Sequence, residues 1–344
     1  MNPDAHALSD LARSLMASEK GLLAMDESNP TCNARFARLA IEQTEGARRT
    51  YRELLVSAPG LGEYISGAIL YDETIRSTLE NGKPFAQAVV DAGIIPGVKV
   101  DCGAKPMAGF PGEQVTEGLD GLAERLAEYA AMGARFAKWR AVFSIGPGTP
   151  SRACIDANAL ILARYAASCQ EAGLVPIVEP EILMAGSHDL QRSMEISEHV
   201  LRTVFNTLSC QGVQLEGLLL KPAMLLPGND APVQPSAEEV AEATIKCLLR
   251  TVPAAVPGIA FLSGGQASEL ASARLNAINL AAGFDMPWTL TFSFSRALQQ
   301  SALERWSGKK ANAEAAQQLL LHRARCNQAA RRGEYDAAME ARRP

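Results

Sequence analysis

Leu215-Glu216-Gly217-Leu218-Leu219-Leu220-Lys221-Pro222 is an apolar run that ends in an ammonium group. By composition it is a buried strand, and a lysine is almost never fully buried without a partner, because taking its charge out of water costs several kcal/mol. A strand-end lysine is commonly a solvated stem or half of an ion pair. A chemical reading is also open: burial and a neighbouring cation lower an amine's pKa and free its lone pair to attack a carbonyl and form a Schiff base.

The same pattern recurs along the chain. Gly21-Leu22-Leu23-Ala24-Met25 ends in Asp26, and Tyr64 to Leu70 leads to Tyr71-Asp72-Glu73. Ile94 to Val98 leads to Lys99-Val100-Asp101, Arg135-Phe136-Ala137 to Lys138-Trp139-Arg140, and Leu174 to Val178 to Glu179-Pro180-Glu181. After the run closed by Lys221, Ile259 to Leu262 ends in Ser263-Gly264-Gly265, and Trp288 to Phe292 ends in Ser293 and then Arg296. Helical spacing fills the intervals, as in Gly118 to Met132, Ile155 to Ala172, Asp189 to Ser209, Ser236 to Arg250 and Glu269 to Ala281, several opened by Ser or Asp as an N-cap.

Strands alternating with helices imply right-handed βαβ units and a parallel sheet. Eight such units in 344 residues predict an α/β fold, a single (β/α)8 TIM barrel, with polar groups gathered at the C-terminal strand ends. An open doubly wound sheet would carry a Gly-rich turn after its first strand, whereas Asp26-Glu27-Ser28-Asn29-Pro30 contains no glycine. One domain is expected over 1–344, with a lead-in helix over 1–20 and a helical tail from about 309 to 344 that ends in a mobile Arg342-Arg343-Pro344.

Composition narrows the function. A hydrophobic share of 47% supports a large core, and a net charge of −5 leaves no polyanion-binding footprint, so nucleic acid is not an expected partner. The segment from Met1 to Gly21 reads as neither signal peptide nor membrane anchor, and seven cysteines without a C-x-x-C pair read as buried or incidental thiols of a reducing compartment. A cytoplasmic enzyme is the expectation. The four histidines show no metal-ligand spacing, so a zinc-dependent mechanism is not expected; a covalent Schiff base with the substrate would call for no cofactor.

Lys221 and Lys138 end the sixth and fourth strands, with Glu179 and Glu181 on the strand between, so two amines and two carboxylates converge. The second ammonium favours a neutral first amine, and a carboxylate supplies the proton transfers of carbinolamine chemistry. Asp26 and Asp101 face the same mouth. A self-neutralising ion-pair network is the plainer reading, but it gives no reason for the anion-binding elements beside it. Ser263-Gly264-Gly265 and Ser293-Phe294-Ser295-Arg296 follow the last two strands, where barrels often hold phosphate. Ser28, Thr31, Arg35 and Lys99 form a second candidate anion site, although Ser28 and Thr31 could equally cap the next helix. A reactive lysine flanked by two anion sites points to a carbonyl substrate with two phosphates.

These residues resemble the class I (Schiff-base) fructose-1,6-bisphosphate aldolases from about Leu8 to about Tyr335. The likeness rests on Gly21 to Ser28, Val98 to Asp101, Phe136 to Arg140, Ile177 to Leu183, Leu218 to Pro222, Phe261 to Gln266 and Leu290 to Ala297. Asn29-Pro30-Thr31-Cys32 looks closer to the plant and bacterial branch. The resemblance implies reversible, metal-independent cleavage of fructose 1,6-bisphosphate to dihydroxyacetone phosphate and glyceraldehyde 3-phosphate, in glycolysis, gluconeogenesis or the Calvin cycle. It implies Lys221 as Schiff-base former, Glu179 as its acid/base, Lys138 and Asp26 as assistants, and Glu181, Arg140 and Asp101 as support. Ser263, Gly264, Ser295 and Arg296 then match the phosphate site nearest the ketone, and Ser28, Thr31, Arg35 and Lys99 the distal one. A homo-oligomer, commonly a tetramer in the family, is implied too.

Three departures stand out. Ala34 occupies a position where the family often has lysine, Ser295 replaces a frequent glycine, and the chain ends in Ala341-Arg342-Arg343-Pro344 rather than in a tyrosine. Tyr335, the last tyrosine, carries no assigned role. The competing readings are another Schiff-base barrel enzyme, transaldolase-like or a broad ketose-bisphosphate aldolase, which comparing cleavage of fructose 1,6-bisphosphate, fructose 1-phosphate and sedoheptulose 1,7-bisphosphate separates, and a non-catalytic scaffold, for which nothing specific speaks.

Overall fold

The structure is a computed structural model and describes residues 5–283 and 286–342. The final Arg343-Pro344 of the expected mobile tail lies outside the described residues. Eight parallel strands close into a barrel in the order β1 (Gly21–Met25), β2 (Ile65–Leu70), β3 (Ile95–Lys99), β6 (Phe136–Phe143), β7 (Val175–Ile182), β8 (Leu219–Leu220), β9 (Gly258–Phe261) and β10 (Thr289–Phe294), which returns to β1. Between β3 and β6 the short strands β4 (Ala104–Pro106) and β5 (Gln114–Thr116) pair antiparallel as a hairpin. The eight strand–helix units expected from the sequence are present.

Strand ends differ in informative ways. The run from Leu215 is only partly strand: Leu215–Gly217 is a turn of 3-10 helix, and Leu219–Leu220 alone join the ladder. Gly217 sits against the lead-in helix, where an added Cβ would lie 3.0 Å from Leu8 Cβ. Conversely β6 and β7 continue through Phe143 and Ile182, so Lys138 and Glu179 lie within strands rather than at their ends. Lys221 is still held in the sheet, since its N–H donates to the Val178 carbonyl at 2.8 Å and the next carbonyl, of Pro222, accepts from Leu262 N at 3.0 Å.

Alternation along each strand sorts side chains between two cores. Leu23, Met25, Leu70, Val98, Ala137, Trp139, Val178, Leu220 and Phe261 point outward and pack under the helices. Leu22, Ala24, Ile69, Phe136, Ile177, Leu219 and Ala260 point into the lumen and pack with Leu8, Ala12, Leu15 and Met16 of α1 (Ala5–Met16). The lead-in helix therefore closes the N-terminal end of the barrel. Phe136 fills that end only because Gly97 has no side chain: a Cβ there would lie 2.3 Å from the Phe136 ring.

The expected helices form with shifted ends, at Leu122–Ala131, Arg152–Glu171, Leu190–Cys210, Ala237–Thr251 and Ser268–Ala282. Ser236 completes a capping box with Glu239, and Asp189 accepts from Arg192 N, as Ser and Asp at such positions should. All seven cysteines are free, five buried, while Cys102 and Cys210 are exposed rather than buried. Among the described residues no helix is long and apolar enough to cross a membrane.

Candidate active site

The lumen parity set by Leu22 and Ala24 continues to Asp26. Phe136 leads by the same step of two to Lys138 and Arg140, Ile177 to Glu179 and Glu181, and Leu219 to Lys221. The C-terminal half of the lumen is thus charged where the other half is apolar. It opens into a cavity of about 770 Å³ lined by every residue predicted for the site except Arg35.

On its floor the charged groups form an unbroken chain. Lys221 Nζ lies 2.9 Å from Glu179 Oε1, Lys138 Nζ 2.8 Å from Glu179 Oε2, and Lys138 Nζ also 2.8 Å from Asp26 Oδ2. Lys221, Lys138 and Glu179 are 4%, 2% and 3% exposed, so each charge depends on its neighbours rather than on water. Burial pushes the Asp26 carboxyl up, but Lys138 and then Lys221 outweigh it and hold the group at about 2. Glu179 follows the same logic, burial opposing and Lys138, Lys221 and Arg140 lowering it, so it is a carboxylate at neutral pH. Lys138 is held well above its ordinary value because Asp26, Glu179 and Asp101 overcome its burial. Lys138 is accordingly a fixed cation.

Around this chain lies a supporting layer. Asp101 accepts from Gly103 N and Arg140 N, each at 3.1 Å, and pairs with Lys99 at 2.6 Å. Arg140 pairs with Glu181 at 2.5 Å. Asp72 and Glu73, which also follow a strand, turn away from the cavity: Asp72 holds Arg76 and Tyr129, and Glu73 holds Arg48, Arg52 and Asn29.

The loops after β9 and β10 meet on one wall. Gly264 and Gly265 have φ of +58° and +84°, the left-handed region that glycine enters without strain. At Gly265 a Cβ would lie 2.8 Å from the Arg296 guanidinium, so the missing side chain lets Arg296 lie over the loop. Helix α11 (Arg296–Trp306) starts from Ser295, where the family frequently has glycine, and its φ of −101° lies outside the left-handed region that favours glycine. Buried Ser293 lines the same wall with a hydroxyl that has no partner among the described residues.

The second predicted anion site is only partly assembled. Ser28 is the residue before the helix Asn29–Ala37, yet its hydroxyl makes no cap and instead meets Thr31 Oγ1 at 3.0 Å, with both residues on the cavity wall. Arg35 is the exception. Its guanidinium pairs at 2.5 Å with Glu27, which also accepts from Ser295 Oγ at 2.5 Å, and it does not line the cavity. Sequence reasoning passed over Glu27, which ties the loop after β1 to the start of α11. It also missed Lys105 on β4 and Asn229, whose N–H donates to the Met184 carbonyl at 2.7 Å and so joins the loops after β7 and β8. For Asn229 and Lys105 no sequence signal existed, since three-residue strands and irregular loops carry no periodicity.

Away from the cavity, Tyr335 donates to Glu340 at 2.9 Å and packs on the outer core. His322, Cys326 and Glu340 bring potential ligand atoms within 4.8 Å of one another, a grouping that the histidine spacing did not suggest, and none of the three lines the cavity.

Comparison with known proteins places these features in context. Residues 7–343 match the family model described as fructose-bisphosphate aldolase class-I. The chain is 54% identical over 330 residues to a probable fructose-bisphosphate aldolase class 1 of Xylella fastidiosa, covering 95% of this chain and 98% of that protein. It is 53% identical to the cytoplasmic isozyme of Cicer arietinum, covering 92% and 88%, and 49% identical to aldolase C of Pan troglodytes, covering 97% and 92%. Among solved structures it is similar to the Plasmodium falciparum fructose-bisphosphate aldolase, crystallised with TRAP and a small-molecule inhibitor, at a TM-score of 0.95, 45% identity and 97% coverage of both chains.

Proposed function

The chain belongs to the class I fructose-bisphosphate aldolase family and cleaves fructose 1,6-bisphosphate through a lysine Schiff base; on that premise we propose that Lys221 is the nucleophile and that Glu179, Lys138 and Asp26 serve it in defined roles. The observation that carries this reading is the continuous contact chain Lys221–Glu179–Lys138–Asp26 on the cavity floor.

Lys221 Nζ gives a proton to Glu179 and attacks the ketone carbon, forming a carbinolamine. Glu179 returns that proton to the carbinolamine oxygen and carries a second one to it from the nitrogen, so that the oxygen leaves as water and the protonated imine remains. Asp26, ionised by its cationic neighbours, accepts the proton of the C4 hydroxyl. As the C3–C4 bond breaks, its electron pair flows into the iminium and leaves an enamine in place of a bare carbanion. Lys138 keeps both carboxylates ionised and oriented. Arg140 with Glu181, and Asp101 with Lys99, hold the flanking backbone and charge. Ser263, Gly264, Gly265, Ser293, Ser295 and Arg296 take the phosphate nearest the ketone, while Ser28, Thr31 and Lys99 face the distal phosphate, with Arg35 acting only through Glu27.

The reaction on this reading needs no metal, and the chain acts as one domain that assembles as a homo-oligomer of cytoplasmic proteins. Borohydride reduction with substrate followed by peptide mass mapping is the test. An adduct on Lys221 is expected, and an adduct on another lysine, or loss of activity to a chelator, contradicts the mechanism.

A further inference from the structure

Six basic side chains line the cavity, and four are already neutralised: Lys221 and Lys138 by Glu179 and Asp26, Arg140 by Glu181, and Lys99 by Asp101. The other two, Arg296 and Lys105, form no hydrogen bond or ion pair through their side chains among the described residues. A bisphosphate brings two dianions, and this cavity offers two uncompensated cations. Their positions are opposed. Arg296 lies over Gly265, which follows β9, and β9 is four places round the ring of eight from β3, whose loop carries Lys105.

Between them the carbonyl site at Lys221 adjoins the β9 wall, because β8 and β9 are neighbours. A sugar with its ketone over Lys221 and one phosphate at Gly264, Gly265 and Arg296 therefore extends its other end toward the β3 side of the mouth. Arg35 does not meet it there, being held by Glu27 outside the lining, and Ala34 offers no charge at all. Lys105 is placed by a pinned hairpin rather than by a loose loop. Lys105 pairs with Val115 across the hairpin, Thr116 N donates to Asn158 Oδ1 at 3.2 Å, and Ser151 N donates to Glu113 Oε1 at 2.6 Å. Thr116 Oγ1 also donates to the carbonyl of the active-site residue Arg140 at 2.8 Å.

We propose that Lys105 is the specificity-determining cation for the distal phosphate of the bisphosphate substrate, taking the part that the sequence suggested for Arg35. The inference rests on the site reading above. Its test compares kcat/KM for fructose 1,6-bisphosphate and for fructose 1-phosphate, which lacks the distal phosphate, in the wild type and in Lys105→Ala, Lys105→Arg and Arg296→Ala. Lys105→Ala is expected to lower the ratio of the two kcat/KM values roughly tenfold through KM for the bisphosphate, the lower end of what a charged hydrogen bond contributes. Lys105→Arg restores most of the ratio, and Arg296→Ala lowers both constants while leaving their ratio largely in place. An unchanged ratio in Lys105→Ala, or parallel loss on both sugars, overturns the assignment while leaving the catalytic reading intact. A wild-type borohydride adduct on a lysine other than Lys221 overturns the site reading and this assignment with it.

Discussion

The two ends of this barrel's lumen are lined by the same strands one step of alternation apart, and they do opposite things. At the N-terminal end Leu22, Phe136, Ile177 and Leu219 pack with α1 into a dry plug. Two or four residues further along those strands stand Asp26, Lys138, Glu179 and Lys221, equally hidden but charged. Burial stabilises the first layer and strains the second, which is held by mutual compensation and by the sheet on which its members are mounted. The lesson is that the plug supplies the rigidity that lets the charged layer remain reactive.

The sharpest way to separate the layers is Lys221→Met. Removing the nucleophile should lower turnover by at least about 10³-fold, since no remaining group can form the imine. Urea unfolding should show little loss of stability, because Glu179 keeps Lys138 as a partner and a well-packed apolar replacement for a buried charge is often neutral or stabilising. Measurable cleavage in the purified variant would remove Lys221 from its role.

The reverse experiment strikes the plug. Phe136→Ala should cost about 3–5 kcal/mol in urea unfolding, the range for emptying a large aromatic site. Gly97, kept bare to admit that ring, leaves the cavity open rather than refilling it. Turnover per folded molecule should fall far less than in Lys221→Met. If activity collapsed while stability held, the division of labour between the layers would be wrong.

How much of this was legible in the sequence follows from the same alternation. Gly21 to Asp26 carries the lumen parity in plain view, and so do Phe136 to Arg140 and Ile177 to Glu181, which is why the strand order and the charged cluster could be read directly. Less legible was whatever depends on where the chain turns after leaving the sheet. Arg35 and Glu27 are both polar residues beyond β1, and only the path of the loop makes them each other's partner instead of the ligand's. Leu215–Gly217 opens the run read as one strand, yet it forms a 3-10 turn with Gly217 close against Leu8 of the lead-in helix. The hairpin bearing Lys105 consists of two three-residue strands, too short to show a period.

Acid sharpens the contrast further, because only the charged layer titrates. The Asp26 carboxyl lies at about 2 against an ordinary 3.8, so its contribution to stability is complete above about pH 4 and is lost as the pH falls through about 2. Urea unfolding of wild type and Asp26→Asn should therefore differ by about 2 kcal/mol at neutral pH, and the gap should narrow as pH drops below about 4. Phe136→Ala should show a gap from wild type that does not depend on pH. A constant gap in Asp26→Asn would mean that Lys138 does not hold Asp26 ionised in the way the 2.8 Å contact implies.

Arg296 tests what lies beyond both layers. It is exposed, has no ionic partner among the described residues and begins α11, so neither burial nor a network there links it to the fold. Arg296→Ala should leave the unfolding midpoint unchanged and weaken phosphate binding by about 1.5 kcal/mol, the lower part of the range for charged hydrogen bonds, because water competes at the rim. The loss should appear as a Michaelis constant raised roughly tenfold, with turnover nearly preserved, since the phosphate is bound alike before and during bond cleavage. A large drop in turnover at constant KM would show instead that Arg296 acts on the reacting carbons, and would move it from the rim into the company of the charged floor.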